Sequence, residues 1–246
     1  MHRYQILIEY VGTYYVGWQI QKKGNSVQKT VQLALSKLFK QKVVIHGSGR
    51  TDSGVHALEQ SAHFDLKEKI QNIDKTVKSL NFFLNNKMIS IIKIKKKKIN
   101  FHARYSAKQR IYLYIIQNRI SPSTLSKDRE WHIRKKLDIN LIKRGAKKLV
   151  GTHDFSTFRS SNCSAKSPIR TISKILVTKS KNKIKLKFKS KSFLKNQVRS
   201  MVGCLKYLGE KKWNLKKFEN VFIKKERKKV APPAPACGLY LEKIIY

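Results

Sequence analysis

The chain reads as an α+β protein, with one continuous β-sheet and helices packed on it. Three observations support this reading. Two-residue alternation and helix-period apolar stripes are interleaved from one end to the other. No low-complexity linker separates the two halves. The second half repeats the strand-and-helix content of the first in loose form, without a repeat at the level of residues.

Taken in order, Tyr4 to Tyr10 alternates as a strand, and a Gly- and aromatic-rich loop, Val11 to Gln19, follows. Its aromatics either stack on bases or cover the edge of a core. Ser26 suits an N-cap, and Val27, Val31, Ala34, Leu35, Leu38 and Phe39 fall on one helix face. Val43 to Ile45 reads as a short strand. Leu58, Gln60, Ala62, Phe64 and Leu66 alternate, Thr76 to Leu84 is helical, and Met88 to Ile94 is a strand. The first hundred residues are therefore expected to run β-α-β-β-α-β. Lys95 to Lys98 is expected to be a solvated turn. In the strand from Gln109 to Ile116, Arg110, Tyr112 and Tyr114 share one side because strand side chains alternate. Ser121 to Arg134 shows no periodicity and reads as a loop. Asp138 caps a helix to Leu149. Arg170 to Lys179 and Lys183 to Lys191 form a hairpin turning at Lys181 and Asn182. A helix from about Leu194 to Leu208 carries Arg199 amid apolar residues, a second runs from Trp213 to Lys225, and Leu239 to Tyr246 closes the chain as a strand.

Composition narrows the function. There are 55 Lys plus Arg against 14 Asp plus Glu, a formal charge of +41. That excess points to a polyanion, most simply nucleic acid. Lys far outnumbers Arg, as an AT-rich genome would impose, so part of the excess is solvated surface. No apolar run is long enough for a membrane helix. Met1 leads directly into a strand rather than a targeting peptide, so a cytoplasmic location is expected. Cys163, Cys204 and Cys237 are widely spaced and lack Cys-x-x-Cys pairing, which suits free thiols better than disulfides or zinc. His153-Asp154 has no accompanying cluster and makes a poor metal site.

The most informative stretch is Gly47 to Ala57, with three glycines, Arg50 and Asp52. It lacks the Gly-Lys-Ser/Thr of a phosphate loop. A strand rather than a helix follows it, which excludes a dinucleotide fingerprint. No serine lies in a nucleophile elbow. One carboxylate without metal ligands cannot run two-metal phosphodiester chemistry, but it can act as nucleophile or base on a base or sugar of RNA. Taken alone, Asp before Ser-Gly is equally good turn chemistry.

Gly49-Arg50-Thr51-Asp52-Ser53-Gly54-Val55-His56-Ala57 resembles the signature of the TruA-type tRNA pseudouridine synthases. Four further segments resemble that family in the same order. They are Tyr14 to Gln19; Phe101 to Arg104 with Arg110 to Tyr114; Phe193 with Val198 to Gly203; and Ala234 to Leu241. The resemblance implies a mostly antiparallel mixed sheet with flanking helices, built from two similar α/β halves. Residues 1–104 would carry the catalytic loop, and residues 105–246 the tyrosine strand and arginine helix. It also implies isomerisation of uridine to pseudouridine at positions 38, 39 and 40 of the tRNA anticodon arm, by a homodimer, without cofactor or metal. Asp52 matches the catalytic aspartate. Arg199 matches its guanidinium partner, Tyr112 the tyrosine against the target base, and Arg50 the arginine that helps displace the nucleotide. His56 and His102 read as hydrogen-bonded structural residues.

Val11, Asn85 and Gln197 depart from the residues usual in the family, Asp, Pro and Met respectively, which bears on the RNA-facing loop and on local stability. Two other readings remain. One is a noncatalytic RNA-binding protein, which charge and aromatics alone would fit. The other is a tRNA-folding chaperone that keeps the fold without the chemistry.

Overall fold

The computed structural model describes residues 1–161, 163–225 and 230–246. Among these residues it is α+β, with ten strands and five α-helices. Most strand pairs are antiparallel; the strand Leu239–Ile245 with His56–Leu66, and Trp131–Ile133 with Gln109–Asn118, are parallel. The chain divides into two compact units, residues 1–108 with 240–246, and residues 109–239.

The first unit holds β1 (His2–Tyr10), α1 (Val27–Phe39), β2 (His46–Gly47), β3 (His56–Leu66), α2 (Ile73–Phe83) and β4 (Ile89–Lys97). That is the β-α-β-β-α-β order expected from sequence. Its strands lie in the order β4-β1-β3, then β10 (Leu239–Ile245), with β2 also on β3. β10 (Leu239–Ile245) pairs through Tyr240 with His56 and through Leu241 with Ala57. The Tyr246 hydroxyl hydrogen-bonds Ser61 Oγ and the Ala103 carbonyl. Hydrogen bonding therefore draws the closing strand into the first unit, whereas sequence order groups it with the second half. Ser26 caps α1 by accepting from the Lys29 N–H, and Val27, Val31 and Leu35 are fully buried.

Four expectations for this unit change. Val43 to Ile45 does not form a strand, because two α1 glutamines take up the backbone of Ile45. Its carbonyl accepts from Gln28 Nε2, and its N–H donates to Gln32 Oε1. Lys95 to Lys97 are not a turn. They continue β4 in register with Gln5, Tyr4 and Arg3, so ladder pairing outweighs the local charge run. Lysines on this outer strand also discourage pairing with another chain. The α2 helix starts at Ile73 rather than Thr76, because Asn72 caps it through the Lys75 N–H. β3 is buried on both faces through its middle, with His63 as covered as Phe64, so its alternation is incomplete.

The second unit holds β5 (Gln109–Asn118), β6 (Trp131–Ile133), α3 (Ile139–Lys148), β7 (Gly151–Asp154), β8 (Ile169–Ser180), β9 (Lys183–Ser190), α4 (Gln197–Gly209) and α5 (Leu215–Ile223). Its strand order is β5-β9-β8-β7, with β6 on β5. The hairpin turns at Lys181, in the left-handed region at φ 50°. Asp138 caps α3 as its sequence position suggests, accepting from Leu141 N–H. β6 lies in the stretch read as loop; three residues are too few to show a period. α4 begins at Gln197 rather than Leu194. Asn196 is left-handed at φ 63°, and the Gln197 N–H bonds the Leu194 carbonyl in a preceding turn. α5 is shorter than expected, starting at Leu215 behind its cap Asn214.

Candidate active site

Asp52 stands at the head of a tight turn. Its carbonyl accepts from the Val55 N–H at 3.1 Å, and Gly54, with φ 76°, occupies the position where a positive φ excludes most side chains. Both flanks of the turn are anchored. Thr51 is buried; its carbonyl accepts from Trp18 N–H at 3.1 Å and its hydroxyl pairs with the Tyr10 hydroxyl at 2.8 Å. On the other side His56 is buried. Its Nδ1 accepts from Gly12 N–H, and its ring stacks on Tyr240 at 4.7 Å. Accepting at Nδ1 leaves the neutral ring's proton on Nε2, which is a structural role, as expected for this residue.

The aromatic loop clamps this turn. A Cβ on Gly12 would sit 2.0 Å from the Val55 carbonyl oxygen, and one on Gly17 would sit 2.6 Å from that of Thr51. Only glycine allows these two backbones to lie so close. Trp18 and Tyr15 are buried, so they cover the core edge, while Tyr14 is 63% exposed and remains accessible. Tyr15 and Trp18 thus follow the core-edge reading. Tyr10, read only as a strand end, proves to hold the Asp52 loop through Thr51; nothing in its sequence neighbourhood signals that.

Asp52 is half-buried and Arg50, two residues earlier, is exposed. The structure brings these two together on one loop. Tyr112 and Arg199 belong to the second unit. Tyr112 lies on β5 opposite Phe188 of β9, and Phe193 meets its ring edge-on at 5.2 Å and 87°. The ring is half-buried and held in orientation. Arg199 lies in the first turn of α4. Its Nε donates to the Ala234 carbonyl at 2.7 Å and its Nη1 to Asn196 Oδ1 at 3.3 Å. Through Ala234 the arginine motif meets the C-terminal motif. Tyr114, next but one on the Tyr112 face, donates to the Pro235 carbonyl, and burial raises its phenol pKa.

His153 and Asp154 are occupied structurally. Asp154 bonds Lys225 and the Ser156 N–H, which lower its pKa to about 2. Among the described residues no group of three or more His, Cys, Asp or Glu is arranged to hold a metal ion, and no helix is long and apolar enough to cross a membrane. Cys163, Cys204 and Cys237 form no disulfide.

The sequence profile of tRNA pseudouridine synthases matches the chain twice, over residues 6–106 and 146–246, and the chain belongs to that family. Similar proteins agree along the full length. The tRNA pseudouridine synthase A of Pelagibacter ubique (strain HTCC1062) is 63% identical over 246 residues, covering 100% of both chains. Its namesake from Neorickettsia sennetsu (strain ATCC VR-367 / Miyayama) is 42% identical over 244 residues, 99% of this chain and 100% of that one. The one from Paramagnetospirillum magneticum (strain ATCC 700264 / AMB-1) is 42% identical over 246 residues, 100% of this chain and 96% of that one. The resemblance read from the motifs is borne out.

Proposed function

We propose that this protein converts uridine to pseudouridine in tRNA, at positions 38, 39 and 40 of the anticodon arm, with Asp52 as its one catalytic carboxylate. The observation that carries this reading is the Asp52 turn, clamped by two glycine contacts and anchored through Thr51 and His56. A reacting group is effective when its geometry is set beforehand.

The reaction is internally balanced. The N1–C1′ bond breaks, a C5–C1′ bond forms, and the proton lost from C5 is matched by one gained at N1. No electrons are transferred, so the chemistry calls for no redox partner, and we assign no cofactor or metal. Asp52 serves in its carboxylate form by attacking C1′, attacking C6 or removing the 2′ hydrogen. Tyr112 packs against the target base, and its orientation by Phe193 supports that role. Arg50, exposed beside Asp52, holds the space left by the displaced nucleotide; unstacking a paired base costs a few kcal/mol. By the resemblance, Arg199 is assigned as the cation of the catalytic machinery. A cation in a first helical turn is unfavourable against the helix dipole unless an anion offsets it, and this supports an anionic partner. The working form is a homodimer in the cytoplasm, where its tRNA substrate is found.

Asp52→Ala tests the reading. We expect tRNA binding to persist while tritium release from tRNA labelled at uridine C5 stops. Full activity in this variant would sink the mechanism, whereas a wild-type protein that binds tRNA without releasing tritium would favour the chaperone reading.

A further inference from the structure

The second unit contains a cavity of about 580 Å³ at the far end of β5. Arg119, Arg134, Lys136 and Lys179 line it, with Asn118 and Asn182, and no acidic residue is among its lining residues. It lies six residues along β5 from Tyr112, about 20 Å at strand spacing, so it is separate from the reacting base.

The cavity is built from buried anchors. Asn118 is buried, and its Nδ2 donates to the carbonyls of Ile133 and Lys135 while its Oδ1 accepts from Leu137 N–H. Its own N–H donates to the Asn182 carbonyl at 2.7 Å. One side chain thus ties β5 to the 133–137 segment, and its backbone ties β5 to the hairpin turn. Ile133 and Leu137 are buried, so Arg134 and Lys136 between them are left exposed at the cavity. Arg119 is tethered to the Ser121 and Pro122 carbonyls at 2.8 and 2.9 Å. Four cations gathered around one space repel one another, and a bound anion relieves that repulsion.

The lining also indicates the kind of anion. No aromatic residue is present to stack a base, and no glycine loop is present to cradle a single free phosphate in backbone N–H groups. We propose that this cavity holds phosphates of the substrate tRNA backbone, remote from the nucleotide being isomerised. This rests on the function proposed above and adds a second point of attachment to it.

The test is tRNA binding against salt for the wild type and for Arg134→Gln/Lys136→Gln, two exposed residues. Losing two phosphate contacts makes the log–log salt slope shallower by roughly 1.4 to 1.8 and weakens binding about 10- to 30-fold near 0.15 M salt. The charge-matched pair Lys75→Gln/Lys78→Gln on α2 should change the slope less. An unchanged slope in the cavity variant, or an equal change in the α2 pair, would overturn the proposal. So would a loss confined to added tripolyphosphate with tRNA binding intact, since the site would then serve a small anion. Tritium release by the wild type is measured in parallel and judges the proposed function independently.

Discussion

Replacing Gly17 by alanine adds one methyl group at the closest approach between the aromatic loop and the Asp52 turn. Gly17 has φ 111°, and the new Cβ would lie 2.6 Å from the Thr51 oxygen, 3.2 Å from the Asp52 carbonyl carbon and 3.3 Å from the Ser53 nitrogen. All three are backbone atoms, so no side chain can move aside. The strained φ costs about 1–3 kcal/mol, and forced overpacking costs about another 1–3 kcal/mol. Together these make about 2–6 kcal/mol, or a melting temperature lower by roughly 5 to 20 °C for a chain of this size. Because Asp52 itself must shift, turnover should also fall at temperatures where the variant is fully folded. Gly24→Ala is the comparison. Its φ is 85°, but its Cβ meets only the Val16 side chain, at 2.4 Å from Cγ1, and no backbone of the Asp52 turn. We expect a smaller loss of stability there and normal turnover. Thermal unfolding and tritium release at 20 °C measure both effects. A Gly17→Ala protein that melts within about 1 °C of wild type, or melts lower yet turns over normally, would refute the clamp.

Two further outcomes follow from particular contacts. His63 is buried and its Nδ1 accepts from Ala103 N–H; burial, then Arg3, His102 and His46, lower its pKa to about 4 against the opposing pull of Asp65. The unfolded chain binds this proton near 6.5, so the contribution is complete above that pH and is lost as pH falls toward 4, by at most roughly 3 kcal/mol. His102, lowered chiefly by burial, acts in the same direction. Urea unfolding from pH 7 to 4.5 should show this fall, and His63→Asn should flatten it; a wild-type stability that does not change with pH would contradict it. Arg199→Met removes the donor to the Ala234 carbonyl. We expect about 1–3 kcal/mol lost and reduced turnover; unchanged melting and rate would remove Arg199 from the proposed machinery.

Much of this protein is legible without coordinates. Ser26 and Asp138 mark their helix starts because a cap is a local hydrogen bond between residues close in sequence. The turn at Lys181 and the shared face of Tyr112 and Tyr114 are equally local, following from chain geometry and the two-residue period. Asp52 stands out because acids are scarce and glycines surround it. The misreadings lie where a distant partner decides. Ile45 is held by Gln28 and Gln32, β6 exists only by pairing with β5, and the lysines of β4 are held in a strand by β1.

The Asp52 loop itself divides in the same way. Its residues, its turn and the tendency of Gly54 to take a positive φ are properties of a short stretch of sequence. That Gly12 and Gly17 press against it, that Tyr10 bonds Thr51, and that His56 stacks on Tyr240 could come only from the folded chain. These contacts join residues tens to hundreds of positions apart. Local periodicity carries no record of them, because their free energy appears only once packing has brought the segments together.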